Sequence, residues 1–91
     1  MSTDHSTARR RDLGRRVALI RQRAGFNAMA LARKMGVHVP TLCRFENGQR
    51  GLSDVKFIQY LTLCGLKPNE IEPLLAMHHT PENGFHHADF A

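Results

Sequence analysis

The stretch G-F-N-A-M-A-L-A-R-K-M-G-V-H-V-P-T-L-C-R-F-E-N-G-Q-R, residues 25–50, decides the fold. Asn27 is expected to cap a short helix that stops at Gly36, because asparagine accepts from the free N–H groups of a helix start and glycine readily ends a helix. A second short helix is expected to begin near His38. Pro40 fits only in its first turn, where a missing N–H has no intrahelical partner. The stretch therefore predicts two short helices joined by a tight turn.

Residues on either side of this stretch predict two more helices. Before it, apolar residues recur at helical steps of four, three and four, namely Leu13, Val17, Ile20 and Ala24. After it, Leu52 and Phe57 flank the N-cap Ser53 as a hydrophobic staple, which starts a helix that closes at Gly65. No alternating strand pattern occurs, so the expected fold class is all-α with about five short helices.

The two ends of the chain give weaker signals. Residues 1–11 are polar and lack periodicity, which predicts a flexible basic arm. The arm ends in three arginines, Arg9, Arg10 and Arg11. Further on, Pro68 could open a fifth helix that Pro73 would interrupt, and a turn followed by a helix over 72–79 is the alternative. Residues 80–91 contain Pro and Gly without a period, which predicts a flexible tail.

Charge is distributed unevenly along the chain. Residues 9–56 hold twelve of the thirteen Lys and Arg residues and carry a net charge of +9, whereas residues 57–91 carry −3. A half this basic is typical of a surface that binds a polyanion, although a solvated face is the alternative. No apolar run approaches the roughly 18 residues of a membrane helix, and no signal-peptide pattern is present. We expect a soluble, cytoplasmic protein with no membrane partner.

Catalytic and metal-binding arrangements are not predicted. Cys43 and Cys64 form no C-x-x-C or repeating framework, so reduced thiols are expected. The doublets His78-His79 and His86-His87 flank a segment with Pro and Gly and have no fixed partner at ligand spacing, so no metal site is expected. No nucleophile-and-base motif or phosphate loop is present, so neither an enzyme nor a cofactor is predicted.

With its flanks, the stretch resembles the Cro-type, lambda-repressor-like (XRE) helix-turn-helix family. The resemblance covers about residues 12–66, with the helix-turn-helix itself at about 28–46. Its carriers are Leu13, the I-R-x-x-A-G run from Ile20 to Gly25, Leu31-Ala32, Gly36-Val37, Thr41-Leu42 and the R-F-E-N-G run from Arg44 to Gly48. The resemblance implies a five-helix lambda-repressor-like DNA-binding domain whose partner is double-stranded DNA. Residues 67–79 would then add a C-terminal helix.

The candidates for base readout are Val39, Pro40, Thr41 and Arg44. In the family, the residues that match Val39, Pro40 and Arg44 usually read base edges. Arg44 can donate two hydrogen bonds to one guanine, whereas Val39 and Pro40 offer aliphatic surface to a thymine methyl. Leu42 is expected to face inward with Phe45, three residues later.

The candidates for phosphate contact are Asn27, Ala28, His38, Asn47, Arg50, Arg9, Arg10 and Arg11. Two of them depart from the family pattern. Ala28 stands where the family usually has Gln, and His38 stands where Ser or Thr usually caps the helix. The backbone N–H groups at the start of the helix that Asn27 caps would then hold a phosphate without that Gln. An exposed arginine is otherwise often only solubilising.

Two further sets are assigned to the protein itself. In similar proteins the glutamate that matches Glu46 bonds an arginine that matches Arg21, which implies a partly buried structural ion pair. A single unit reads too few base pairs to select a site, so we expect a homodimer with recognition helices about 34 Å apart on a pseudo-palindromic operator. Its expected interface is Ile71, Leu74, Leu75 and Met77, with Phe85 and Phe90 of the tail as additions, and core closure is the alternative for these residues.

The predicted function is a DNA-binding transcriptional regulator, most simply a repressor associated with the nucleoid. Two alternatives remain. The same fold could serve as the antitoxin of a toxin–antitoxin pair, with the C-terminal tail binding a protein partner. It could also serve as a protein-interaction adaptor that has lost DNA binding, which the +9 charge of residues 9–56 disfavours.

Overall fold

The computed structural model of the chain describes residues 3–79, which form five α-helices and no strand. The helices are α1 (Thr3–Arg23), α2 (Ala28–Met35), α3 (Val39–Glu46), α4 (Asp54–Leu63) and α5 (Pro68–His78). The predicted all-α class is confirmed. Within residues 3–79 no helix combines the length and the hydropathy that a bilayer crossing requires. The predicted tail, residues 80–91, lies outside the described part of the chain.

The boundaries of α2 and α3 follow the local signals in the sequence. Asn27 Oδ1 accepts a hydrogen bond of 2.7 Å from the Ala30 N–H and so caps α2. Gly36 ends that helix with φ 71°, a left-handed conformation that costs glycine little. Because α3 begins at Val39, Pro40 lies in its first turn and breaks no hydrogen bond within the helix.

One hydrophobic core holds the helices together. The Phe45 ring lies 5.8 Å, centroid to centroid, from the rings of both Phe57 and Tyr60, and both contacts are edge-to-face. Such pairs add about 0.5 to 1.5 kcal/mol each beyond the area they bury. The buried apolar residues are Leu13, Val17, Leu31, Ala32, Met35, Leu42, Phe45, Leu52, Phe57, Tyr60, Leu61 and Ile71. Helix α3 packs against both α1 and α2, so one side of it is held by these two helices.

Helix α1 begins much earlier than the periodicity of its apolar residues predicted. It starts at Thr3 rather than near Asp12, so the expectation of an irregular arm is wrong for residues 3–11. Alanine and arginine favour helix, and extending a helix that already exists costs far less than nucleating one. Tertiary contact adds to this, because a Cβ on Gly48 would lie only 2.7 Å from the backbone nitrogen of Arg11. The loop after α3 therefore rests on this part of α1.

Helix α5 is continuous, which decides between the two alternatives for its segment. Pro68 is its first residue, and the backbone N–H of Lys67 donates to the Glu70 carboxylate at 2.8 Å. Pro73 removes one helical hydrogen bond, whose acceptor would have been the Asn69 carbonyl. Asn69 and Pro73 are both exposed, so solvent can satisfy the Asn69 carbonyl and the helix runs through Pro73.

Candidate nucleic-acid interface

Helix α3 has an inner and an outer side. On the inner side Leu42 and Phe45 are buried in the core, as their spacing predicted. Of the four candidates for base readout, Pro40 and Arg44 are exposed on the outer side and Thr41 is half-buried. Val39 is half-buried too and packs partly against the core. The outer side thus offers one guanidinium with several donors next to apolar surface. This combination suits the edge of a base pair, which presents both hydrogen-bond acceptors and methyl groups.

The last turn of α3 is fixed to α1 by a buried ion pair. Arg21 Nε lies 2.8 Å from Glu46 Oε2, and Arg21 Nη2 lies 3.0 Å from Glu46 Oε1. Only 10% of the Arg21 side chain and 9% of the Glu46 side chain are exposed. A third hydrogen bond of 3.0 Å runs from Arg21 Nη1 to the Phe26 carbonyl. The hydrogen bonds to Glu46 raise the pKa of Arg21, so the guanidinium stays charged. These groups tie the end of α3 to α1 and are largely shielded from solvent.

Tyr60 of α4 completes this network, and the sequence analysis did not anticipate it. Its hydroxyl contacts Glu46 Oε2 and lies 3.1 Å from the Val17 carbonyl oxygen. Burial raises the pKa of Tyr60 well above its usual value, and the hydrogen bond to Glu46 acts in the same direction. The position of Tyr60 on the apolar side of α4 is visible in the sequence, but which carboxylate its hydroxyl reaches is not. The network joins α1, α3 and α4 behind the outer side of α3.

The starts of α2 and α3 differ in how they are capped. At α2 the side-chain oxygen of Asn27 is used in the cap, and Ala28 is half-buried. At α3 the backbone of His38 is extended, and its exposed side chain makes no capping hydrogen bond. Histidine is a poorer cap than the Ser or Thr that usually stands at this position, and the His38 ring remains available to an external group.

The candidates for phosphate contact do not all lie together. Asn47 and Arg50 are exposed in the loop that follows α3, and Arg50 Nε donates to the neighbouring Gly51 carbonyl at 3.1 Å. Arg11 lies at the same end of the molecule, because its backbone touches Gly48. Arg9 instead lines a groove shared with α5, and Arg10 is exposed between them on α1. Three consecutive arginines on a helix point in different directions, so they do not act as one extended arm.

Some of the basic residues are used within the protein. Lys56 Nζ donates to the Met35 carbonyl at 2.7 Å, which places a cation at the negative end of α2. Arg16 pairs with Asp12 at 3.2 Å, one helical turn away on the exposed surface of α1. The number of basic residues in this half therefore overstates how many are available to contact an external polyanion.

The residues predicted for a dimer interface divide into two groups. Ile71 is only 6% exposed and belongs to the core of the monomer, so its assignment to an interface is wrong. The other three residues, Leu74, Leu75 and Met77, are half-buried against that core. Core closure, the alternative in the sequence analysis, therefore accounts for Ile71 fully and for the others in part. Phe85 and Phe90 lie outside the described residues.

Cys43 and Cys64 are both free thiols. Cys43 is half-buried on α3, beside Arg44. Burial raises the pKa of the Cys64 thiol, which makes this group a weaker nucleophile near neutral pH.

Helices α2 and α3 are short and are joined by a turn at Gly36. The inner side of α3 packs against the core and its outer side is exposed, an arrangement that defines a helix-turn-helix protein. A family model described as a helix-turn-helix domain matches residues 12–74, and the chain belongs to this family. The match supports the predicted resemblance and extends beyond residue 66 into α5. Searches of curated proteins and of solved structures found no match.

Proposed function

We propose that this chain is a sequence-specific DNA-binding transcription regulator of the Cro type, whose helix α3 enters the major groove. One observation carries the proposal. The inner side of α3 is held by the core and by the Arg21–Glu46–Tyr60 network, whereas its outer side exposes Arg44 and Pro40. A helix held this rigidly can present a fixed set of side chains to base edges, which direct readout requires.

The four residues proposed to contact bases make different kinds of contact. Arg44 donates a bidentate pair to guanine O6 and N7, a contact worth about 1 to 3 kcal/mol of discrimination. Val39 and Pro40 have no side-chain donors, so they contact a thymine methyl, and Thr41 contacts either such a methyl or a phosphate. The expected half-site therefore contains at least one guanine near one or more thymines.

Phosphate contacts surround these readers and set the register of the protein on the duplex. At the start of α2, the backbone N–H groups near Asn27 and Ala28 face a phosphate. The His38 ring donates an N–H to a phosphate of the DNA backbone. The loop after α3 contributes Asn47 and Arg50, and the adjoining part of α1 contributes Arg10 and Arg11. Arg9, which lines the groove beside α5, contributes least.

Two copies bind one pseudo-palindromic operator, because one recognition helix reads too few base pairs to select a site in a genome. Leu74, Leu75 and Met77 supply the interface, since they remain partly exposed in the monomer. Occupying a promoter in this way makes the protein a repressor, without catalysis, that acts in the cytoplasm on nucleoid DNA.

Selection of bound sequences from a random duplex pool tests this function. The full chain should enrich an inverted repeat whose half-site centres lie about one helical turn, or 10 to 10.5 base pairs, apart. Enrichment of a single half-site would contradict the homodimer. Enrichment of no sequence would contradict the regulator and favour the adaptor. Copurification of a small toxin encoded beside the gene, bound through residues 80–91, would favour the antitoxin.

A further inference from the structure

Three side chains of types that can bind a metal meet where the start of α4 and the end of α5 adjoin, and none of them is a proposed DNA contact. Asp54 is the first residue of α4, His78 is the last residue of α5, and His79 follows it directly. One ligand atom from each lies within 4.8 Å of the other two. His79 Nε2 is 2.8 Å from Asp54 Oδ1, and His78 Nδ1 is 3.6 Å from the same oxygen.

The ring of His78 is held firmly in one orientation. It stacks on Phe57 with 4.5 Å between centroids and meets the edge of Phe45 at 6.4 Å. Its Nε2 faces the loop before α4, 3.8 Å from where a Cβ on Gly51 would lie. In the tautomer that carries its proton on Nε2, Nδ1 presents a lone pair towards Asp54.

The Nδ1 atom of His78 is buried and unsatisfied. Among the described residues it has no hydrogen-bond partner, and Asp54 Oδ1 lies 3.6 Å away. A lone pair on Nδ1 and a carboxylate oxygen that face each other repel unless a positive species lies between them. A metal ion held by His78, His79 and Asp54, whose ligand atoms lie within 4.8 Å of one another, would satisfy that lone pair.

We propose that Asp54, His78 and His79 form a zinc site that ties the end of α5 to the start of α4. The ligands would be His78 Nδ1, His79 Nε2 and one carboxylate oxygen of Asp54, and the fourth position would be open to water or another ligand. Two imidazoles and a carboxylate are a donor set that zinc binds well. Metal-ligating histidines generally donate their other ring N–H to a backbone carbonyl or a carboxylate, and His78 Nε2 faces the loop backbone at Gly51.

The distances require only a small adjustment. Bond lengths near 2.0 to 2.1 Å in a tetrahedral site put ligand atoms roughly 3.4 Å apart. The separation of His78 Nδ1 and Asp54 Oδ1 already matches this, and the separation of His79 Nε2 and Asp54 Oδ1 must open slightly. The side chains of His79 and Asp54 are 44% and 49% exposed, so both can move without repacking the core. Zinc binding should therefore stabilise the fold without changing it.

The test is titration of the chelator-treated, full-length chain with zinc chloride, followed by calorimetry and by thermal unfolding. One zinc ion per chain should bind, and Tm should rise by about 5 to 10 °C when free zinc is about ten times Kd. His79→Ala and Asp54→Asn change exposed ligands, so both variants should fold, and each should weaken zinc binding at least about tenfold. His78 is left unchanged because its ring packs in the core.

Matched controls separate this site from other donors in the chain. Asp12→Asn changes an exposed aspartate on α1 and should leave zinc affinity unchanged. The double variant His86→Gln, His87→Gln should also retain it. Zinc affinity that is lost in this double variant, or unchanged in His79→Ala, would overturn the proposal, as would failure of the wild-type chain to bind zinc. None of the substituted residues is a proposed DNA contact, so operator binding should persist in each of these variants.

Discussion

Glu46→Ala removes the carboxylate that accepts hydrogen bonds from both Arg21 and Tyr60. The loss leaves a guanidinium, on a residue only 8% exposed, without its charged partner. Breaking a buried pair from one side costs about 3 to 5 kcal/mol. Arg21 keeps the Phe26 carbonyl and Tyr60 keeps the Val17 carbonyl, which places the expected loss near the lower limit. We therefore expect Glu46→Ala to lose about 3 kcal/mol, equivalent to a fall in Tm of roughly 12 to 24 °C for a domain of this size.

The assay is urea unfolding followed by circular dichroism at a helix-sensitive wavelength. Asp12→Ala is the matched control, since it breaks an exposed arginine–carboxylate pair with Arg16 and should cost no more than about 1 kcal/mol. The double variant Arg21→Met, Glu46→Leu should regain much of the loss, because apolar residues of similar volume often replace a buried ion pair well. A loss below about 1 kcal/mol in Glu46→Ala would refute the claim that this pair fixes α3 to α1.

Three further outcomes follow from the same packing. Tyr60 is the single tyrosine in the chain, and its pKa is raised by folding, so the stability it contributes is present below its unfolded pKa near 10 and is lost as pH rises above it. Phenolate absorbance should therefore appear together with loss of helix, and ionisation near pH 10 with the helices intact would contradict the buried network. Gly14→Ala should lower stability by about 1 to 3 kcal/mol in thermal unfolding despite better helix propensity, because its Cβ would lie 2.2 Å from the Glu46 carbonyl oxygen. A gain in stability would show that α1 and α3 are further apart. Asn27→Ala should cost about 1 kcal/mol through loss of the 2.7 Å cap on α2, and an unchanged Tm would show that this cap adds nothing.

The fold was largely predictable where local signals agree with the packing. The N-cap at Asn27, the glycine at position 36 and the first-turn Pro40 each define a helix boundary by local chemistry, and α2 and α3 begin and end there. The start of α1 was not predictable in this way. Its early residues have no apolar periodicity. Residues 8–11 are good helix formers, the backbone of Arg11 lies against Gly48, and the turns before them extend a helix that is already formed.

Contacts between distant residues account for the rest of what the sequence did not reveal. Phe57 and Tyr60 are both buried on α4, yet only Tyr60 carries a hydroxyl, and its contact with Glu46 across the fold has no local signal in the sequence. His78 looked like part of a tail doublet, but the continuous α5 places its ring on Phe57. Gly14 gave no signal at all, since its need for a missing Cβ depends on how closely α1 and α3 approach.

The central claim is that the outer side of α3 reads bases, and the affinity of Arg44→Ala for DNA tests it most directly. Fluorescence anisotropy at one fixed salt concentration should compare the selected operator with a scrambled duplex. Arg44→Ala should lose about 1 to 3 kcal/mol on the operator and should relax preference at one base position. Arg50→Ala should weaken binding to both duplexes by a similar factor. Equal affinity of the wild type and Arg44→Ala for the operator would contradict the account.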